Sequence, residues 1–234
     1  MKPMFMNAIN GLAKLLNMNI PQGSIILVAG AEGTLKSGLV FSIISDYLAA
    51  SDEHGLYITL EQTKESHLKN MSSLGLKKSD ALHIFDYRDM RREWTDRELD
   101  MMVELTGEVI DYYKDKYERL TVFALDSLNA LYALSQEADL RKSMYDFFSG
   151  LRDRDLTSFL ILETPHAGTA AQISHFTRPE NFLADGVIEV GIIEGPEGVK
   201  RYIRILKMRA VKHAMEKHQL IVGEDGLCIL GSIY

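Results

Sequence analysis

The chain has 234 residues, a formal charge of −7, 46% hydrophobic side chains and 25% charged ones. Such a composition excludes a disordered or fibrous polymer, and the length suits one large α/β domain or two small ones with a core that needs no covalent staples. The lone cysteine, Cys228, excludes an intramolecular disulfide framework and a Cys-cluster zinc site, and fits a reducing, cytoplasmic compartment. No run of about 18 apolar residues is present, so no membrane span is expected. Asn7, Asn10 and Lys14 interrupt the first apolar residues, so no signal-peptide core is expected either. The acidity argues against a general duplex-DNA coater, although a local basic patch remains compatible with phosphate binding.

In chain order, Phe5, Ile9, Leu12, Leu15 and Leu16 recur at roughly helical spacing until Pro21-Gln-Gly23 breaks the pattern. Ser24 to Ala29 reads as a buried strand, Gly30 to Ser37 as a glycine-containing loop, and Lys36 to Ala50 as an amphipathic helix. A second buried strand covers 55–60 and ends on Glu61-Gln62. A helix over 63–74, a short strand over 82–86 and a long charged helix over 96–118 follow. Strands over 120–125 and 157–162 close on Asp126-Ser127 and on Glu163-Thr-Pro-His166, with helices over about 128–135 and 139–153 between them. From about residue 186 the texture changes to short strands over 186–193, 199–208, 218–222 and 227–230, separated by Gly195-Pro-Glu-Gly198 and Gly223-Glu-Asp-Gly226. The alternation predicts a mostly parallel α/β sheet with helices on both faces, and the late strands predict antiparallel additions at its edge. With no internal repeat and no linker, residues 1–234 read as one domain.

Gly30-Ala31-Glu32-Gly33-Thr34-Leu35-Lys36-Ser37 nearly matches G-x-x-x-x-G-K-[ST], between a buried strand and a helix as that motif requires. The chemistry needs backbone N–H groups converging on phosphate oxygens at a helix start, a lysine that reaches the terminal phosphates and a hydroxyl on magnesium. Lys36 and Ser37 fill the last two roles, with Gly38 continuing the turn. Leu35 stands where the motif has glycine. A positive φ there costs about 1–2 kcal/mol for leucine; alternatively its side chain points away from the nucleotide at little cost. The sequence leaves both open, and a chance glycine-rich turn is the bland alternative.

Ligands of an open parallel sheet bind at the carboxyl ends of its strands. Glu61, Asp126 and Glu163 stand at three such ends. Asp126 follows a hydrophobic strand, the pattern that holds magnesium, usually through water. Glu61 is placed to polarise a water aimed at a γ-phosphate, and Glu163-Thr-Pro-His166 to sense that phosphate. A helix cap or a solvated strand end is the bland reading of any one of them. The stretch from Lys200 to His213 is strongly basic, and on pattern alone it fits a phosphate contact, an edge strand charged against aggregation, or a nucleic-acid groove. Alternation puts Lys207 and Arg209 on the same side.

These residues carry a resemblance. Ile20-Pro-Gln-Gly-Ser24 leading into the loop, Tyr57-Ile-Thr-Leu-Glu61-Gln62, Leu125-Asp126-Ser127-Leu128, Phe182-Leu-Ala-Asp185-Gly186-Val-Ile and Lys207-Met-Arg209-Ala-Val-Lys-His213 together resemble the RecA-like P-loop ATPases of the KaiC family, in a single-domain form common in archaea. The resemblance covers nearly the whole chain. It implies ATP and Mg2+ as cofactors, a homo-hexameric ring with nucleotide between subunits, a Walker A loop (residues 30–38) and a Walker B carboxylate (Asp126). It also implies that Lys207, Arg209 and His213 reach the neighbour's nucleotide, which resolves the basic stripe toward phosphate contact in trans. Three positions depart from the pattern: Leu35 replaces glycine, Gln62 replaces a second glutamate and leaves Glu61 as the one candidate base, and Val211 replaces a small hydroxyl residue. No second clock domain is expected from these residues, and clock function and autokinase activity are not expected either.

The leading expectation is a slow Mg-dependent ATPase (ATP and water to ADP and phosphate) in signalling or regulation, with a protein signalling partner. A nucleotide-gated assembly subunit with little turnover, of the motility-accessory kind, is the alternative, and a recombinase-like DNA-binding ATPase a more distant one, since no basic or aromatic channel loop is evident. Trp94 with its charged neighbours reads as a surface helix cap, the eleven methionines as packing, His175 and His218 as no metal site, and Tyr112, Tyr113 and Tyr117 as a helical stripe covering the sheet.

Overall fold

The computed structural model describes residues 3–86, 88–89, 102–133, 140–165, 179–195, 198–224 and 226–233. Trp94, His166 and His175, and the part of the 96–118 helix before residue 102, lie outside the described residues.

Nine strands form one sheet: β1 (Ile25–Gly30), β2 (His54–Thr59), β3 (Leu82–Asp86), β4 (Leu120–Asp126), β5 (Thr157–Glu163), β6 (Gly186–Gly195), β7 (Gly198–Met208), β8 (His218–Gly223) and β9 (Gly226–Ser232). Their order is β3-β2-β4-β5-β1-β6-β7-β8-β9. The first six in that order run parallel, and β7, β8 and β9 are added antiparallel. The described helices are α1 (Lys36–Ala49), α2 (Lys64–Ser73), α3 (Met102–Lys116), α4 (Leu128–Ala133), α5 (Leu140–Asp153) and α6 (Pro179–Leu183). None is long and apolar enough to cross a membrane.

The strands alternate between two cores, which is why the parallel ones are apolar at nearly every position. Ile26, Val28, Tyr57, Ala124 and Phe159 face a core closed by α1, α2 and residues 5–20. Ile25, Leu27, Leu56, Phe123 and Leu160 face a second core closed by α3, α4 and α5. The late strands turn where the glycines predict: Gly195 pairs with Gly198 and Gly223 with Gly226.

Two expectations are corrected. Residues 5–16 are buried at all five apolar positions, but they form two short 3-10 turns, Phe5–Asn7 and Leu12–Lys14, rather than a helix. Gly11 is the reason. Its φ is +89°, and a Cβ there would stand 2.0 Å from the carbonyl oxygen of Ile229, so the segment bends to lie against β9, where Ile229 N–H donates to Asn10 O at 2.9 Å. Tyr113 and Tyr117 do pack on the second core, Tyr117 stacking on His83 at 3.9 Å between centroids. Tyr112 instead is exposed, because a residue one position from Tyr113 points about 100° round the helix.

His67 of α2 is fully buried beside the rings of Phe41 and Tyr57. Neither ring nitrogen has a hydrogen-bond partner among the described residues. Burial holds its pKa down at about 4, from an ordinary 6.5. The unfolded chain therefore binds one more proton here between those values, and stability falls as the pH drops from 6.5 toward 4, by about 3 kcal/mol for this group. His67→Phe, which keeps a ring in the slot, is expected to flatten that part of a stability–pH curve measured by denaturant titration. A residual slope belongs in part to His83, also held near 4 by burial and by His54.

Candidate functional site

The strand order sets the site. β2, β4, β5 and β1 are neighbours in that order, so their carboxyl ends bring Glu61, Asp126, Glu163 and the loop after Gly30 to one edge. Glu163 lies directly opposite Gly30 in the ladder, and Asp126 opposite Thr59.

The loop itself is tightly specified. A Cβ on Gly30 would stand 2.1 Å from Val190 O and 2.9 Å from Thr34 Oγ1, so only glycine allows β6 this close. Thr34 is buried and donates to Ala31 O at 2.7 Å. Lys36 opens α1, is 8% exposed, and its Nζ donates to the same carbonyl at 2.8 Å. Burial lowers the Lys36 pKa, opposed by the charges of Glu163, Asp126, Glu61 and Glu32.

Leu35 answers the question its position raised. It caps α1 with φ 75° and ψ 25°, the left-handed region, while its half-buried side chain packs on the first core. Strain and outward orientation thus coexist. The backbone geometry of the motif glycine is kept, at a cost of about 1–2 kcal/mol partly offset by apolar burial.

Asp126 is buried and accepts from Tyr57 Oη at 2.8 Å, with Ser37 beside it. Burial raises its pKa, and the hydroxyls of Ser37 and Tyr57 and the charge of Lys36 oppose that shift. Tyr57 is the functional neighbour that sequence reading missed. A phenol buried in a central strand needs a partner for its hydroxyl, but alternation alone does not say that the partner is Asp126. Glu61 is exposed and accepts a hydrogen bond from Ser127 Oγ. Gln62 turns instead toward α2, where its Oε1 accepts from Asn70 at 2.9 Å. Asn129 clasps the end of β5 with two hydrogen bonds to the Glu163 backbone, at 2.7 and 3.1 Å.

Among the described residues no three His, Cys, Asp or Glu side chains form a metal cage. Ser37 and Asp126, neighbours at this edge, are both hard oxygen donors. That donor set fits Mg2+, which keeps waters and takes phosphate oxygens rather than a full protein cage.

The basic stripe divides. β7 is antiparallel to β6, with Ile192 opposite Arg201 and Val187 opposite Lys207, and β6 runs beside β1 with Glu189 level with Ala29. Arg201 is therefore at the loop's end of the sheet, and its Nε donates to Gly33 O at 3.1 Å. Lys207 and Arg209 are at the opposite end. Lys207 Nζ donates to Asn181 O and Ala184 O at 2.9 and 2.6 Å. Arg209 pairs with Asp185 at 3.0 Å and donates to Phe182 O. Arg204 pairs with Glu189 at 2.9 Å. His213 bridges Leu16, and the flanking residues bond the N-terminal segment through Asn17 N–H to Lys212 O and Ala214 N–H to Leu15 O.

The family model described as the KaiC ATPase matches residues 6–233. The circadian clock oscillator protein KaiC of Parathermosynechococcus lividus is 26% identical over 236 residues, covering 97% of this chain and 42% of that protein. The circadian clock protein KaiC3 of Synechocystis sp. is 25% identical over 234 residues, covering 95% and 44%. The chain thus spans about two fifths of the length of the curated relatives it matches. A KaiC-like protein from the hyperthermophilic archaeon Pyrococcus horikoshii OT3 superposes with a TM-score of 0.77 at 23% identity, over 96% of this chain and 97% of that one. It shares the fold: a mostly parallel sheet with antiparallel C-terminal strands.

The geometry at Leu35 makes an ordering testable. Leu35→Gly removes both the strain and the apolar contact, so its stability is expected within about 1 kcal/mol of wild type. Leu35→Ala keeps the strain and loses the contact, so it is expected to be less stable than Leu35→Gly. Urea denaturation of the three proteins reads the order directly, and an alanine variant as stable as the glycine variant contradicts it.

Proposed function

The chain belongs to the KaiC ATPase family, and from that premise we propose that residues 1–234 form one ATP-binding domain that hydrolyses ATP slowly with Mg2+ and assembles as a homo-hexamer with nucleotide between subunits. The observation that carries the proposal is the alignment of Glu61, Asp126, Glu163 and the phosphate loop at four adjacent strand ends, with Lys36 among them.

In this reading the unpaired N–H groups at the start of α1 and in the loop receive the phosphate tail. Lys36 leaves the Ala31 carbonyl for the phosphate oxygens. Ser37 and Asp126 would hold a magnesium ion, with Tyr57 fixing one oxygen of that carboxylate. Bound magnesium neutralises charge on the phosphates. Glu61, open to solvent and steadied by Ser127, takes a proton from the water that attacks the γ-phosphorus as the bond to the β-phosphate oxygen breaks. Lys207 and Arg209 are separated from their own loop by most of the strand length, so the loop they serve is a neighbour's. His213 goes with them on the segment clamped by the N-terminus.

One observation favours a second reading, an assembly subunit that binds ATP with little turnover: Gln62 is tied to α2, and the site has one carboxylate in place to act as base. Neither reading needs a nucleic acid or a membrane, and a protein partner in signalling or regulation fits both. The circadian role named for the longer relatives is not carried over to a chain that spans two fifths of them.

Sizing by light scattering with and without Mg-ATP, alongside phosphate release, tests the proposal. Nucleotide-dependent hexamers that release phosphate are expected. Glu61→Gln is expected to lower release by about 10²-fold or more, the ordinary worth of a general base, with nucleotide affinity unchanged; release equal to wild type removes Glu61 from the role. Trans action has its own assay. Lys36→Ala and Arg209→Ala proteins are each expected to be inactive alone and to recover part of the activity when mixed, because Lys36→Ala subunits lend Arg209 to intact loops. Mixtures as inactive as their components count against it.

A further inference from the structure

Arg201 belongs neither to the loop motif nor to the cations at the far end of β7, and its contact is specific. Its Nε donates to the carbonyl of Gly33 at 3.1 Å. Gly33 itself has φ +75°, and an added Cβ would meet nothing within 4 Å, so side-chain packing does not hold this corner. Among the described residues no other hydrogen bond reaches residues 32 or 33 from outside the loop.

The consequence follows from peptide geometry. The Gly33 carbonyl and the Thr34 N–H belong to one planar trans unit and point in opposite directions. A donor that holds the carbonyl outward therefore aims the N–H inward. Thr34 is further pinned from the other side by its hydroxyl on Ala31 O. Arg201 suits the task because β7 is paired with β6 at every residue from Gly198 to Ile205, so the guanidinium stands on a rigid element rather than on a second loop. Lys200, one residue earlier, points to the opposite face of the strand.

We propose that Arg201 is a positioning residue of its own chain's phosphate loop: by fixing the Gly33 carbonyl it presets the Thr34 N–H for an anionic phosphate oxygen. The proposal rests on the nucleotide reading above for its use, but its structural content is independent of any ligand.

Amide hydrogen exchange on the nucleotide-free full chain tests it first. Arg201→Ala is expected to speed exchange in peptides covering Gly30–Lys36 about fivefold, the worth of one net hydrogen bond, with β1 and the body of α1 unchanged. Arg201→Lys, which keeps a donor, is expected to restore part of the protection, and Lys77→Ala, an exposed control with the same loss of charge, to match wild type. Loop exchange unaltered in Arg201→Ala overturns the proposal. Titration with Mg-ATP and Mg-ADP then separates roles: a similar loss of about fivefold for both nucleotides supports loop positioning, whereas a loss confined to ATP assigns Arg201 to the terminal phosphate and overturns it. A wild-type protein that binds neither nucleotide sinks the nucleotide reading, while the exchange result still decides the Arg201 contact.

Discussion

The structure turns on one buried ammonium. Lys36 sits at the first turn of α1 with its charge on the Ala31 carbonyl, in a pocket whose desolvation lowers its pKa and whose carboxylates, Glu163, Asp126, Glu61 and Glu32, raise it. Several acids around one lysine give this edge a negative balance, which by itself repels a triphosphate. On the proposed function the deficit is met from three sources: the oriented N–H groups of the loop and helix, a magnesium ion on Ser37 and Asp126, and cations that arrive with a second subunit. Charge balance thus links ATP capture to assembly without any further device. On the same reading, a cation site explains why Asp126 is lined by two hydroxyls, those of Tyr57 and Ser37. An acid with no such partners at that depth would sit protonated and hold no metal.

Much of this was legible in the sequence because it is written in short-range patterns. Apolar runs closing on Asp126 and Glu163 gave the strands, and a glycine loop before Lys36-Ser37 gave the cradle. Paired glycines at 195 and 198 and at 223 and 226 gave the hairpins. What escaped was set by contacts distant in sequence. The spacing of Phe5, Ile9, Leu12, Leu15 and Leu16 reads as a helix, yet the carbonyl of Ile229, more than two hundred residues away, forces Gly11 into a left-handed bend. Alternation along β2 buries Tyr57 but does not name a partner for its hydroxyl, which β4 supplies in Asp126. For Leu35 the residue type alone could not say whether the motif's backbone or the side chain's preference would yield. The fold kept the backbone and packed the side chain away from the cradle, so the local rule is broken at the one position where a functional loop requires it.

The basic stripe shows the same limit more sharply, since alternation predicts the face of a strand but neither the level along it nor an interruption. Ile205 pairs with Ile188 and Lys207 with Val187, so Leu206 is an extra residue, a bulge. Before it, Ile203 and Ile205 face the first core; after it, Met208 does. Had β7 continued without the bulge, Lys207 would share the face of Ile205 and point into that core. The extra residue turns Lys207 to the face of Val187, where the carbonyls of Asn181 and Ala184 receive it. Bulges that re-aim a side chain near a functional site are a recurrent use of the irregularity. Here it separates one run of cations into two groups, about 20 Å apart along the strand and on opposite faces. Arg201 bonds its own loop, and on the proposed function Lys207, with Arg209 beyond the strand end, serves the loop of a neighbour. On that reading a monomer leaves two cations clasped on backbone carbonyls and Asp185 with no phosphate in reach, whereas the proposed ring gives every such pair a loop to serve.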